Sequence, residues 1–206
     1  EMIILAVKPK DLKNVSETCA ALFSKDQLLV SVLAGTSLSQ LREHFTIPKL
    51  LRIMPNLAIT QKEGIIGLVE NEYFSKEWKE KIQVLFQGLG MLYWLAENKI
   101  DALSALTASG PAFILLFIES MIEGGISLGF TSKESRELVL KTIEGTLALI
   151  GEGSQHPGEI KWQITSPGGM TIAGLKEMEQ MAVRSAVMKA LLAAYAKAQH
   201  MHHELS

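Results

Sequence analysis

Up to Leu95, short unbroken apolar runs alternate with stretches whose apolar residues recur at helical spacing. Met2 to Val7 is continuous and apolar and is stopped by Lys8-Pro9, the pattern of a strand covered on both faces. Asp11 to Phe23 places Leu12, Val15, Cys19, Leu22 and Phe23 on one helical stripe. Leu28 to Ala34 is a second strand, broken by Gly35, after which Thr36 or Ser37 caps a short helix carrying Leu38, Leu41 and Phe45. Lys49 to Met54, stopped by Pro55-Asn56, is a third strand, and Ile65 to Val69 a fourth. Ser75 opens a helix with Trp78, Ile82, Leu85, Phe86 and Leu89 on one side, and Met91 to Leu95 is the fifth strand. This alternation predicts an α/β fold with a parallel sheet and right-handed crossovers.

After Ala96 the strand signals stop. Asn98 to Thr107 reads as helix, and Pro111 stands at the first position of a long apolar helix reaching about Leu128. Thr131 and Glu134 form a capping-box pair for a helix to about Ile150, ended by Gly151 and Gly153. Pro157 to Gln163 is a short helix, and an alanine-rich helix from Met181 to His203 closes the chain. Residues 1–96 are therefore expected as an α/β domain and 97–206 as an all-helical one.

The totals narrow the function classes. Of 206 residues 48% are hydrophobic but only 6% aromatic, which suits close-packed helices and an extra surface buried between subunits. A net charge of -2 without a basic cluster argues against nucleic acid as a partner. A single cysteine, Cys19, excludes an internal disulfide and fits a reducing, cytoplasmic setting. The most apolar run, Ala112 to Ile118, stops at Glu119, far short of the ~20 residues of a span, so no membrane segment is expected. No signal-peptide pattern is visible, and the chain opens with Glu1 inside a strand-like run, as a piece of a longer protein does.

Candidate chemistry gathers at one turn and three strand ends. Ser166-Pro167-Gly168-Gly169-Met170-Thr171 is rigid, poor in side chains and followed by an amphipathic helix. Unpaired N–H groups at such a start favour an anion, which predicts a carboxylate pocket with a threonine beside it; an ordinary tight turn is the alternative. The ends of the first three strands carry Ala6-Val7-Lys8-Pro9, Leu33-Ala34-Gly35-Thr36 and Met54-Pro55-Asn56. Small residues there admit a flat ring, with Lys8 and Asn56 as polar groups. Ser109-Gly110-Pro111 reads as a helix N-cap, His156 as structural, and the His200 to His203 tail as a solvated end. Glu119 and Glu123, one turn apart, read as exposed or paired rather than catalytic. No zinc-type spacing or paired-carboxylate hydrolase arrangement occurs, and no metal is expected.

Together these segments resemble the pyrroline-5-carboxylate reductase family. The resemblance rests on Ile4 to Pro9, Arg52 to Asn56, Leu106 to Ala112 continuing to Glu119, Glu123-Gly124-Gly125, Gln155 to Gly158 and Ser166 to Ile172. It implies a reductase using NADPH or NADH, with an incomplete Rossmann-like sheet followed by an all-α dimerisation domain. By resemblance, backbone amides of the turn, Ser166, Gly168, Gly169, Met170 and Thr171, hold the substrate carboxylate. Thr171 bonds the ring nitrogen as the catalytic residue, and Ala6, Lys8, Pro9, Ala34 and Asn56 lie near the nicotinamide and its ribose. Holding two reactants in line can supply ~7–11 kcal/mol.

The chain departs from the family pattern at Ala108, Trp162 and Met170, where glycine, aspartate and a small residue are usual. Ala108 and Met170 are expected to tighten the pocket. The opening Gly-x-Gly-x-x-Gly turn that seats the pyrophosphate is absent, which predicts weak dinucleotide binding by this stretch alone and an exposed sheet edge. A hydroxyacid dehydrogenase reading fails because no lysine occurs between Lys99 and Lys133. A truncated, inactive homologue that only dimerises is the rival. The expected partners are the small substrate and a second copy, in a homodimer or a larger ring of dimers.

Overall fold

A computed structural model describes residues 1–151 and 155–204, with side chains to residue 200. The five apolar runs become β1 (Met2–Leu5), β2 (Leu28–Ser31), β3 (Leu50–Pro55), β4 (Gly64–Val69) and β5 (Gly90–Leu95), neighbours in that order in one sheet. β1, β2 and β3 pair in parallel, as do β4 and β5, but β3 and β4 are antiparallel. The sheet is thus mixed where an all-parallel one was expected. The reason is the β3–β4 connection, a short 3-10 turn over Leu57–Gln61 closed by Lys62 in the left-handed region, φ 62°. A parallel crossover needs a dozen or more residues, and this link has too few.

Alternation along the strands separates two apolar layers. On one face Leu29, Leu50 and Val69 pack with α1 (Leu12–Cys19), α2 (Leu38–His44) and α4 (Ile100–Thr107). On the other, Val30, Leu51, Ile53, Ile66 and Leu68 pack with Phe74 and with Ile82 and Phe86 of α3 (Lys76–Phe86). Leu22 and Leu85, placed on apolar stripes from sequence, are exposed. At Leu22 the helix tightens into a 3-10 turn, Ala20–Leu22, which rotates the side chain off the stripe. Cys19 is a half-buried free thiol at the end of α1. β1 forms one edge of the sheet, with Ile4 51% exposed.

The remaining helices are α5 (Gly110–Ser127), α6 (Ser132–Ile150), α7 (Pro157–Gln163), α8 (Met170–Gln180) and α9 (Val183–Glu204). Gly153 lies outside the described residues, and His200 in the tail is exposed. Two compact units are present, Glu1–Gly110 with Leu191–Ser206, and Pro111–Ala190. The sheet ends at Leu95, and the first unit also keeps α4, whose Ile100 and Leu103 pack on the apolar layer of α1 and α2.

In the second unit, α5 and α6 meet at a glycine. The Ser135 hydroxyl donates to the Ile122 carbonyl at 2.7 Å, and a Cβ on Gly125 would collide with that hydroxyl. No residue of α5 is buried, and Leu115 and Leu116 are 63% and 64% exposed. The stretch Glu97–Ser127 is long and apolar enough, by length and composition, to cross a membrane, with mean hydropathy 1.7 in its most apolar window. The shorter run read from Ala112 to Ile118 understated it, because the flanking glycine, alanine and serine residues barely lower the average.

α6 opens with the expected capping box: Glu134 N–H donates to the Thr131 hydroxyl at 3.3 Å, and Thr131 N–H to the Glu134 carboxylate at 2.9 Å. The Thr131 hydroxyl, and next its N–H, hold the Glu134 carboxyl below its ordinary range. A lowered carboxyl stabilises the fold above its unfolded-state value and loses that contribution as pH falls through the folded one. Residue-resolved carboxyl titration is expected to return Glu134 toward an ordinary value in Thr131→Val. An unshifted midpoint would show that the box does not set it.

Candidate functional site

The turn expected to bind an anion has the geometry for it. The Gly169 N–H donates to the Ser166 carbonyl at 3.2 Å, and Gly168 sits in the left-handed region at φ 66°. α8 begins at Met170, so the last two residues of the turn motif are already helical, with Gly169 as an N-cap that has no side chain to offer. The helices α2, α3, α6 and α7 are instead capped by Ser37, Ser75, Thr131 and His156. His156 is therefore structural, accepting from Gly158 N–H through Nδ1 at 3.0 Å. At α8 no side chain occupies the first-turn N–H groups, so they and the helix dipole face an open position.

Thr171 is the second residue of that helix and is exposed. Thr107, Ser120, Ser127, Thr142, Thr146 and Thr165 all donate to the carbonyl four residues back. Thr171 has no such helical carbonyl behind it, and no hydrogen bond of its hydroxyl is present among the described residues. A Cβ on Gly169 would strike the Ser166 hydroxyl, which keeps this position side-chain-free. Ser166 is exposed, and Met170 is 94% exposed within its unit. Trp162 is exposed with the Lys161 ammonium 5.0 Å from its ring centroid, and nothing in the structure explains its presence.

In the first unit, β1, β2 and β3 run in one direction, so their carboxyl ends share one edge of the sheet. Ala6 is exposed there, Lys8 is extended and exposed, and Pro9 starts a 3-10 turn. Ala34 is half-buried beside Gly35, whose φ of 70° makes the turn tight. Two alanines and a glycine keep this edge open to a flat ring, and the Lys8 ammonium suits an anionic dinucleotide. These residues fit a nicotinamide cofactor.

Asn56 plays a part its sequence position did not suggest. It is 8% exposed, its Nδ2 donates to the Thr107 carbonyl at 3.0 Å, and its Oδ1 accepts from Ile65 N–H at 3.0 Å. The side chain thus ties the end of β3 to the start of β4 and the end of α4. Each bond uses one of the two sites on its amide atom, so the remaining pair can still meet a ligand. Groups of His, Cys, Asp and Glu able to hold a metal are absent among the described residues.

A parallel half-sheet with small residues at its strand ends, followed by a helical unit with an uncapped helix start, is an arrangement that a nicotinamide-dependent reductase can use. The family model described as pyrroline-5-carboxylate reductase dimerisation matches residues 97–201. The chain is 36% identical over 201 residues to pyrroline-5-carboxylate reductase of Synechocystis sp., covering 98% of this chain and 75% of that protein. It is 35% identical to the enzyme of that name from Glycine max, covering 94% and 71%. The solved pyrroline carboxylate reductase of Plasmodium falciparum with NADP bound superposes with TM-score 0.90 at 30% identity, covering 97% of this chain and 81% of that one. The chain belongs to the pyrroline-5-carboxylate reductase family, whose members are NAD(P)H-dependent oxidoreductases. The dimerisation match supports self-association, and its residues include α5 with its exposed apolar side chains.

Proposed function

We propose that this chain reduces 1-pyrroline-5-carboxylate to L-proline with NADPH or NADH, the last step of proline biosynthesis. The observation that carries the reading is the uncapped start of α8 with an unpaired threonine hydroxyl at its second residue. Backbone N–H groups of Gly168, Met170 and Thr171 bind the substrate carboxylate, while Gly169, whose N–H is held by the Ser166 carbonyl, closes the turn and keeps it free of a side chain. The Thr171 hydroxyl orients the ring nitrogen, which stays protonated and so needs no further acid. When bound, the nicotinamide supplies the hydride that the imine carbon accepts. Ala6 and Ala34 leave room for the flat ring, Pro9 and Asn56 border it, and Lys8 offers its positive charge.

In this reading residues 1–96 serve the cofactor and 97–206 serve substrate binding and dimerisation. The protein acts in the cytoplasm as a homodimer, or as a larger ring built from dimers. The turn is tested by comparing 1-pyrroline-5-carboxylate with 1-pyrroline, which lacks the carboxylate. An anion at a helix start gains ~0.3–1 kcal/mol in the open and up to ~2 kcal/mol where it is partly buried, so KM is expected to rise about twofold to thirtyfold without the carboxylate. Equal KM values would remove the turn from substrate recognition.

A further inference from the structure

A buried arginine is paired with a partly exposed carboxylate beside the Ala34 turn. Alternation on β3 puts Arg52 on the same face as Leu50 and Met54, in the apolar layer shared with α1, α2 and α4, where it is 3% exposed. Its Nη1 donates to Glu97 Oε1 at 2.9 Å, just beyond the end of β5. The same carboxylate oxygen accepts the N–H of Leu38, the first residue of α2, at 2.7 Å. Next to it, Ser37 and Gln40 close the capping box of that helix. One oxygen therefore joins β3, the exit of β5 and the start of α2.

Stability alone does not call for this arrangement. A buried ion pair is often matched or exceeded by apolar residues of similar size. An apolar pair cannot accept the Leu38 N–H, and that bond fixes the chain directly after Ala34-Gly35-Thr36-Ser37. Gly35 in the left-handed region and the buried Thr36 make this a turn with one shape to hold.

We propose that Arg52 and Glu97 are positioning residues for the cofactor site. Arg52 holds the Glu97 carboxylate, and the carboxylate holds the start of α2, and with it the Ala34 turn against which the nicotinamide lies. The role rests on the cofactor reading proposed above.

The test uses the full natural chain and the double variant Arg52→Met/Glu97→Leu, which swaps the pair for apolar side chains. Three readouts are compared with the parent: thermal midpoint, amide hydrogen exchange across residues 34–41 without cofactor, and the NADPH dissociation constant. The expected result is a midpoint close to the parent's, exchange at least tenfold faster and NADPH binding at least tenfold weaker. Should that variant not fold, Arg52→Met/Glu97→Ala carries the same comparison, because it leaves no unpaired charge at Arg52 and water can reach the Glu97 position, whose side chain is 33% exposed. Glu97→Gln, which keeps an acceptor for the Leu38 N–H, is expected to stay within threefold of the parent. Unchanged exchange in the folded variant overturns the tether itself. Faster exchange with unchanged NADPH affinity overturns its role at the cofactor site. A parent that binds no NADPH at all overturns the cofactor reading and this role with it, while the exchange data still judge the tether.

Discussion

Thr171→Ala is expected to lower turnover by roughly one to two decades while leaving NAD(P)H affinity unchanged. The hydroxyl stands at the second residue of α8, where the backbone provides no carbonyl four residues back for it to bond. A hydroxyl so placed is available to a ligand, and a hydrogen bond involving a charged group contributes ~1.5–3 kcal/mol. That range converts to about a tenfold to hundredfold change in rate. Thr171→Ser keeps the hydroxyl and should recover most of the activity. Thr171→Val keeps the shape and should not. Parent-like turnover in the alanine variant would take Thr171 out of the reaction, and equal loss in all three variants would point to packing instead.

Gly90→Ala is expected to be the most damaging single methyl in the sheet. Gly90 opens β5 opposite Gly64 of β4, with φ 130° and ψ -148°, a conformation that side-chain-bearing residues hardly visit. A Cβ there would overlap the Gly64 backbone, which cannot rotate away as a side chain would. Backbone strain of ~1–3 kcal/mol and overpacking of ~1–3 kcal/mol add to a loss of about 2–6 kcal/mol. In a protein of this size each kcal/mol shifts the melting point by ~2–4 °C, so a fall of roughly 10 °C is expected in thermal unfolding. Gly88→Ala is the control, since its Cβ meets nothing within 4 Å. Similar midpoints for the two variants would contradict the close approach of β4 and β5.

Both candidate regions were legible in the sequence because each is written in local chemistry. Pro167, Gly168 and Gly169 state their turn without help from the rest of the chain, and continuous apolar runs state the strands. The antiparallel β4 was legible too, in the short link from Pro55 to Gly64, but strand–helix alternation elsewhere masked it. Asn56 was read as a polar group for the cofactor, and the structure adds its bonds to the backbone at Thr107 and Ile65. Of its partners, Ile65 lies just across the β3–β4 link but Thr107 is 51 residues on, and no local pattern announces a bond to a distant backbone. Arg52 carried a signal, a cation in the middle of an apolar strand, that was used only as part of a motif. Its partner Glu97 looks like any carboxylate at a strand end until the sheet brings the two together.

The exposed apolar residues of α5 show the same limit from the other side. Sequence alone marks Ala112 to Ile126 as too apolar to face water, but not what covers it. The family match supplies self-association as the answer.

The most direct test of the account is NAD(P)H oxidation with 1-pyrroline-5-carboxylate, followed together with proline formation. It is measured on the full natural chain and on the 206-residue chain. One proline formed per NAD(P)H consumed by the full chain is expected, with the activity reduced about tenfold or more in Thr171→Ala. A full chain that carries the glycine fingerprint, binds NAD(P)H and still forms no proline would contradict it.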